Sequence, residues 1–521
     1  MLVVTTLSVI VLSIATFKFL QIWNFWKRKG IPYVNVFHSF RNYAENAFRR
    51  NDTTAKLEEI YAKFPGARYI GFYQFLQPVL IVRDPELVRK ITVKDFESFT
   101  DHNTFITPEI DSLWTKNLFI MKGDWKQTRA SLTPLFTANR MRIMLTVMDE
   151  CTNQLLTFLR SQAENSIHDA LDVMTRSAAD IFGRTMFGVI CNSHVNRHNE
   201  FYTMAHNIAA MGNLKGPAFW GYYFCPTLIS LLRVKMYQPT EHNFIRTLIL
   251  ESMKVRKEQN IVFPDLVQLL MEMHASSYKS ANGVQKRQLS EDEIIAHTLL
   301  FCFAGFDTVG YVLSRLCKVL AEHPDIQERL CDEIRRTELQ FNGEFTYEAL
   351  YSMNYLNSVV LETLRMYSPS TILDRKCVKP YLIEPVHKDE KPLLLEKGSW
   401  IFVLHCGIQK DPAYYSNPEK FDPDRFSASN KSEQLLTFFT FGSGPRRCIG
   451  SRFAIMEMKY LIVQLLRNYE LLLPDNNFDG NNELAVYLRF QAKSTKDFLC
   501  SIGNENLLNM PSDRNIDQAK I

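Results

Sequence analysis

Residues Phe441 to Gly450 read FGSGPRRCIG, and the run SRFAIMEMKYLIVQLL follows directly. No other stretch constrains the fold as tightly. Its glycines adopt turns closed to other residues and let the backbone approach a flat surface closely. Its arginines require an anion. Cys448 stands just ahead of a segment that places Phe453, Met456, Tyr460 and Val463 on one helical face. A helix start, with its dipole and free N–H groups, favours a thiolate. A half-cystine has no use for the glycines, and a buried structural cysteine has no use for the arginines. No cysteine or histidine partner lies nearby, which argues against zinc. The chain must hold a thiolate at a helix start, against something flat and negatively charged.

The bulk properties narrow the setting. A hydrophobic share of 46% over 521 residues is enough for a large core. With 60 basic and 56 acidic residues the net charge is only +4, so nothing global points to a nucleic-acid partner. The ten cysteines form no C-x-x-C pair, which indicates neither a zinc module nor a secreted disulfide framework. Most of them read as reduced core residues.

The first 17 residues, MLVVTTLSVIVLSIATF, carry no charged side chain, and FLQIWNFW extends them past a single Lys18. Lys27, Arg28 and Lys29 close the segment. About 20 apolar residues span a bilayer. A cleavable signal would put its charges before the apolar run. Residues 1–26 therefore read as an uncleaved membrane anchor separate from the folded body, with the basic cluster on the cytosolic side. Residues 27–50 read as a hinge. Strand-like pieces fall at 68–73, 77–82, 393–404 and 484–491, and helical periodicity dominates between them without a linker or repeat. The expectation is one mainly α domain with a small β-rich portion over 51–505, then a tail at 506–521.

Written as F-x-x-G-x-R-x-C-x-G, the fixed positions Phe441, Gly444, Arg446, Cys448 and Gly450 would arise by chance in roughly one chain of this size in ten thousand. With this stretch the sequence resembles the cytochrome P450 superfamily, the general example of cysteine-ligated haem. The resemblance implies the P450 fold, with haem b as cofactor, Cys448 as axial and metal ligand, and Arg446 on a haem propionate. Three further motifs stand in the family's order. Glu362 and Arg365, three apart on a helix, form an E-x-x-R that alone would be a solvated pair. The resemblance makes it scaffold, completed by Arg425 of FDPDRF. Ala304-Gly305-Phe306-Asp307-Thr308 lies in a helix of about thirty residues, opened by a capping box at Ser290 and ended by Pro324. Thr308 in that helix could bond back to the carbonyl of Ala304 and bend it. The resemblance implies that this notch faces haem, with Thr308 and Asp307 as catalytic residues for proton delivery. Trp125 and Arg129 share a helical face as two propionate donors would need, and Arg375 matches a further propionate arginine.

The match covers about residues 30 to 500, and with the anchor it looks like the microsomal class, with an insect-type texture from FDPDRF through MEMK. Two departures stand out. The hinge is reduced to Gly30-Ile31-Pro32, and Gln409 stands where relatives often have histidine. The chain has no flavin or nicotinamide fingerprint, so electrons come from outside. The resemblance implies a monooxygenase of the endoplasmic reticulum membrane that uses O2 as co-substrate on a hydrophobic small molecule. Its partners would be NADPH–cytochrome P450 reductase, cytochrome b5 as a second donor, and the lipid bilayer. Lys126, Lys420, Lys431 and Arg447 are candidates for the docking face. Apolar pocket walls are expected from Phe105 to Phe119, Phe303 and Thr371 to Leu373. Two rivals remain at this point: an isomerase or dehydratase on the same fold without external reductant, and a non-catalytic haem-binding membrane protein.

Overall fold

The computed structural model describes residues 2–37, 39, 53–74, 76–104, 106–163, 166–209, 229, 231–232, 237–275, 288–388, 390–430, 434–474 and 486–493. Phe40, Phe48, Phe105, Lys431 and the tail at 506–521 lie outside them.

Helix α1 (Leu2–Trp23) is predominantly apolar, with Lys18 its one charged residue, and its described side chains from Thr5 to Gln21 are exposed. At 1.5 Å per residue it is about 33 Å long, enough to cross a hydrocarbon core of about 30 Å. Helix α2 (Phe25–Lys29) follows at once. The boundary expected at residue 26 falls inside a packed segment. Trp26 is 3% exposed and its indole N–H donates to the carbonyl of Phe72 at 2.9 Å. Tyr73 donates its hydroxyl to the carbonyls of Ile22 and Trp23. Tyr33 bridges Gly71, so part of the expected hinge extends the sheet.

The strands β1 (Tyr69–Gln74) and β2 (Gln77–Val82) form an antiparallel hairpin. They join β4 (Leu373–Lys376) and β7 (Trp400–Val403) in a sheet of order β1-β2-β7-β4. Val79 to Val82 are fully buried and cover the second core of the molecule, which also takes in Trp26. The run read as one strand over 393–404 divides between two sheets. Strand β6 (Leu393–Leu395) pairs with β5 (Tyr381–Ile383) instead. A third sheet orders β3 (Ile167–Asp169), β9 (Tyr487–Ala492) and β8 (Tyr469–Leu472) as β3-β9-β8.

The main core is helical. It is built by α3 (Trp125–Leu132), α4 (Ala138–Ser161), α5 (Ala170–Phe182), α6 (Glu200–Ala209), α7 (Glu291–Ala304), α8 (Asp307–Glu322), α9 (Asn354–Met366) and α11 (Ser451–Asn468), while α10 (His405–Gln409) places Cys406 and Ile408 in the second core. Ser290 and Glu293 close the capping box the sequence implied. The thirty-residue helix is interrupted at Gly305–Phe306, giving α7 and α8. At the break a Cβ on Gly305 would stand 2.2 Å from the ring of Phe182 on α5, so only glycine fits this crossing. Glycine's cost inside a helix, about 1 kcal/mol, is offset by that close crossing.

Candidate active site

The site lies between the sheet and the helical core. Its centre is the loop before α11. Gly444 has φ +72, and a Cβ there would overlap the carbonyl oxygen of Thr92. The backbone approach that the sequence reserved for a flat ligand is made here to the protein's own π-helical turn Lys90–Lys94. So braced, the loop returns on itself, and the Cys448 N–H donates to the carbonyl of Phe441 at 2.8 Å. A Cβ on Gly450 would stand 3.8 Å from the ring of Phe136, which stacks with Phe301 of α7.

Cys448 is the exposed cysteine among those described; the others are buried or partly so. Protein crowds its sulfur closely nonetheless. Burial pushes its thiol above the ordinary value, opposed by the N–H groups of Gly450 and Ser451 and by Arg129 and Arg447. The helix-start amides do point at the sulfur, as expected, but burial outweighs them. A metal that displaces the proton, as thiolate ligation requires, tips the balance.

Three guanidinium groups gather beside it. Arg375 on β4 is 3% exposed, donates to the carbonyls of Asp374 and Ser443, and leaves its Nε without a partner. Arg446 donates to the carbonyls of Thr100 (3.1 Å), Leu118 (2.9 Å) and Met121 (3.0 Å). Burial first, then Arg375, bring Arg446 down to about 10. Burial also lowers Arg129 and Arg375. Two partly buried carboxylates, Asp101 and Asp374, act on this cluster, and Asp374 is also bonded elsewhere. It accepts from the Asn103 N–H at 2.5 Å and pairs with Nδ1 of His102 at 2.8 Å. Burial keeps His102 below its ordinary value and therefore neutral. Cations thus outnumber anions in a dry place, a donor set suited to a dianionic ligand.

Trp125, expected as a propionate donor, is held between Arg446, 4.0 Å above its ring, and Phe96. The E-x-x-R pair is not solvated. Arg365 grips Glu362 through Nε (2.7 Å) and Nη2 (2.8 Å), and Arg425 reaches the same carboxylate at 3.3 Å. Glu362 also accepts from the Asp422 N–H. Thr308 donates to the carbonyl of Ala304 at 3.0 Å, the back-bond the sequence allowed. Asp307 meets Nδ1 of His206 on α6 at 3.3 Å. Among the expected pocket residues, Phe303 packs edge-on against Trp114, and Phe119 lies on His102.

Sequence reasoning missed His102, Asp374 and His206. Their partners are 272 and 101 residues away, so no local spacing could signal them.

The cytochrome P450 family model matches residues 48–494. The chain belongs to the cytochrome P450 family. It is 38% identical to Cytochrome P450 9e2 of Blattella germanica over 476 residues, 86% of this chain and 89% of the relative. Identity is 35% to Probable cytochrome P450 9f2 of Drosophila melanogaster, with the same coverage of each chain. Cytochrome P450 6k1 of Blattella germanica is 30% identical over 86% of this chain and 87% of its own length. These relatives are insect P450s, as the texture of the sequence implied. A P450 is a haem monooxygenase, an oxidoreductase that uses O2. The residues here fit haem: an exposed cysteine at a helix start, an orphaned buried guanidinium nitrogen on Arg375, and three guanidinium groups, Arg129, Arg375 and Arg446, facing two carboxylates, Asp101 and Asp374.

Proposed function

We propose that this P450 is a haem-thiolate monooxygenase of the endoplasmic reticulum membrane that inserts one atom of O2 into a hydrophobic small molecule. Electrons come from NADPH through NADPH–cytochrome P450 reductase, with cytochrome b5 as a second donor. The observation that carries the reading is the cluster of Arg375, Arg446 and Arg129 along the Cys448 loop, with Arg129 acting on the thiol itself.

In this reading haem b is held by Cys448 at its iron and by Arg129, Arg375, Arg446 and Trp125 at its propionates. Phe441, Gly450 and Ala304 border it, while Gly444 and Gly305 act through the close packing on Thr92 and Phe182. Thiolate-ligated haem supplies the activation of dioxygen for insertion into an unactivated C–H bond. The Thr308 hydroxyl has committed its one proton to Ala304, which leaves its oxygen free to accept from a water and orient it. Asp307, 27% exposed on its side chain and in reach of His206, exchanges protons with solvent. Glu362, Arg365 and Arg425 are scaffold. Residues 1–23 form the anchor. Arg447 and Lys420 are exposed for a redox partner, and Lys126 is exposed while paired to Glu97. Phe303, Phe119 and the Thr371–Leu373 run supply apolar pocket wall.

The test uses the purified full chain in detergent with reductase. Reduced protein should show the red-shifted carbon-monoxide band of a thiolate ligand, and Cys448→Ala should lose it. One labelled oxygen atom from O2 should enter product, dependent on NADPH. A band that survives in Cys448→Ala rejects the ligand assignment. Turnover that needs no reductant supports an isomerase on the same fold.

A further inference from the structure

Gln409 ends α10 and is fully buried, and its side chain belongs to none of the motifs above. Its carboxamide is saturated. The oxygen accepts from the Phe439 N–H at 2.8 Å. The nitrogen donates to the carbonyl of Arg365 and to the Thr440 hydroxyl, both at 3.1 Å. Its own backbone carbonyl accepts from the Arg365 guanidinium at 2.7 Å. Thr440 in turn reaches the carbonyl of Leu364 on α9 at 3.0 Å. Phe439 and Thr440 are the stem of the Cys448 loop: the next residue, Phe441, is the one whose carbonyl holds the Cys448 N–H.

We propose that Gln409 is a positioning residue that ties the Glu362–Arg365 pair to the stem of the Cys448 loop through a side chain no proton can switch. The inference deepens the haem-thiolate reading and rests on Cys448 as the ligand. An amide offers an acceptor and two donors at every pH. A histidine here would offer an acceptor only while neutral. Protonated, it would strand the Phe439 N–H and set a cation beside Arg365. The charged and titratable groups that face Gln409 are His405 on its own helix, Arg365 and Glu362 on α9, Arg425 from the Pro423–Phe426 turn, and Tyr415 under Arg365.

The test compares wild type and Gln409→His as full-length haem protein, at each pH from 4 to 8, because a histidine buried here protonates only well below its ordinary value, and comparison at each pH cancels slopes from other groups. Two quantities are read: the rate at which the red-shifted carbon-monoxide band is lost, and hydrogen exchange at the Phe439 amide. A stranded buried donor should speed both about tenfold at the acid end, with wild-type rates near pH 8. Equal rates at every pH overturn the proposal. If the histidine variant does not fold, Thr440→Val decides. Faster exchange across 439–448 supports the clasp, and unchanged exchange rejects it. The exchange readout does not depend on the iron ligand, so a wrong ligand assignment, revealed by Cys448→Ala, is distinguished from a wrong clasp.

Discussion

The guanidinium of Arg446 lies 4.0 Å over the ring of Trp125 while its nitrogens reach three backbone carbonyls between Thr100 and Met121. One side chain from the cysteine loop therefore fastens the segment that covers it. Arg446→Lys keeps the charge but loses the fork. We expect haem content to fall severalfold and hydrogen exchange over residues 100–121 to rise. Unchanged exchange there would show that the segment is held by other contacts.

Thr308→Ala removes the hydroxyl whose oxygen orients water. Haem, the carbon-monoxide band and substrate binding should persist. Product formed per NADPH should fall by about 100-fold or more, because positioned proton transfer contributes a factor of about 100 to 10,000. Thr308→Ser should be intermediate. Stoichiometry of NADPH, peroxide and product is the measurement.

Glu362→Ala leaves two buried guanidinium groups without their carboxylate. Breaking a buried ion pair from one side costs roughly 3–5 kcal/mol. Thermal unfolding should begin well below that of wild type and haem should be lost, with coupling in the surviving fraction unchanged.

Two buried groups give opposite pH dependences. His405 is fully buried and burial lowers it to about 4. The unfolded chain takes up that proton near pH 6.5, so stability is complete above this value and drains as pH falls toward 4, by roughly 3 kcal/mol. His405→Leu should flatten the acid limb. Glu457, buried with both oxygens unpartnered, is held well above its ordinary value by desolvation. Its contribution is complete below the unfolded carboxylate value of about 4.3 and is lost as pH rises. Glu457→Gln should therefore raise the unfolding temperature at pH 8 and leave it unchanged near pH 4. Calorimetry across pH 4 to 8 checks both.

Trp26→Ala should destabilise the protein by roughly 3 kcal/mol or more, the range for large aromatic truncations in a core. A deletion that stops at residue 22 should fold better than one that stops at 26. Equal unfolding temperatures for the two deletions would place Trp26 outside the core.

The chemistry was legible because it is written locally. Cys448 with its glycines and arginines, Thr308 four residues after Ala304, and Glu362 three before Arg365 each sit on one turn or one helix, where spacing alone fixes neighbours. What was not legible depends on pairing across the chain. Arg375 reaches the cysteine loop because β4 pairs with β7 opposite Ile401, a register that four residues of sequence do not announce. The division of 393–404 between two sheets, the His102–Asp374 pair and the ring of Phe182 against Gly305 have the same origin: the partner lies far along the chain. Periodicity read α7 and α8 as one helix because their pattern continues across the break, where Gly305 meets the ring of Phe182 on α5.

Tyr73 and Trp26 do more than lengthen a core. They fasten the end of α1 to β1, so the apolar helix and the four-stranded sheet turn together. A tethered enzyme with a slack leash samples many attitudes above a membrane. In the membrane setting proposed above, the tilt of the body would follow from whatever holds α1, and the face shown to a partner gliding in the same plane would be chosen before they meet.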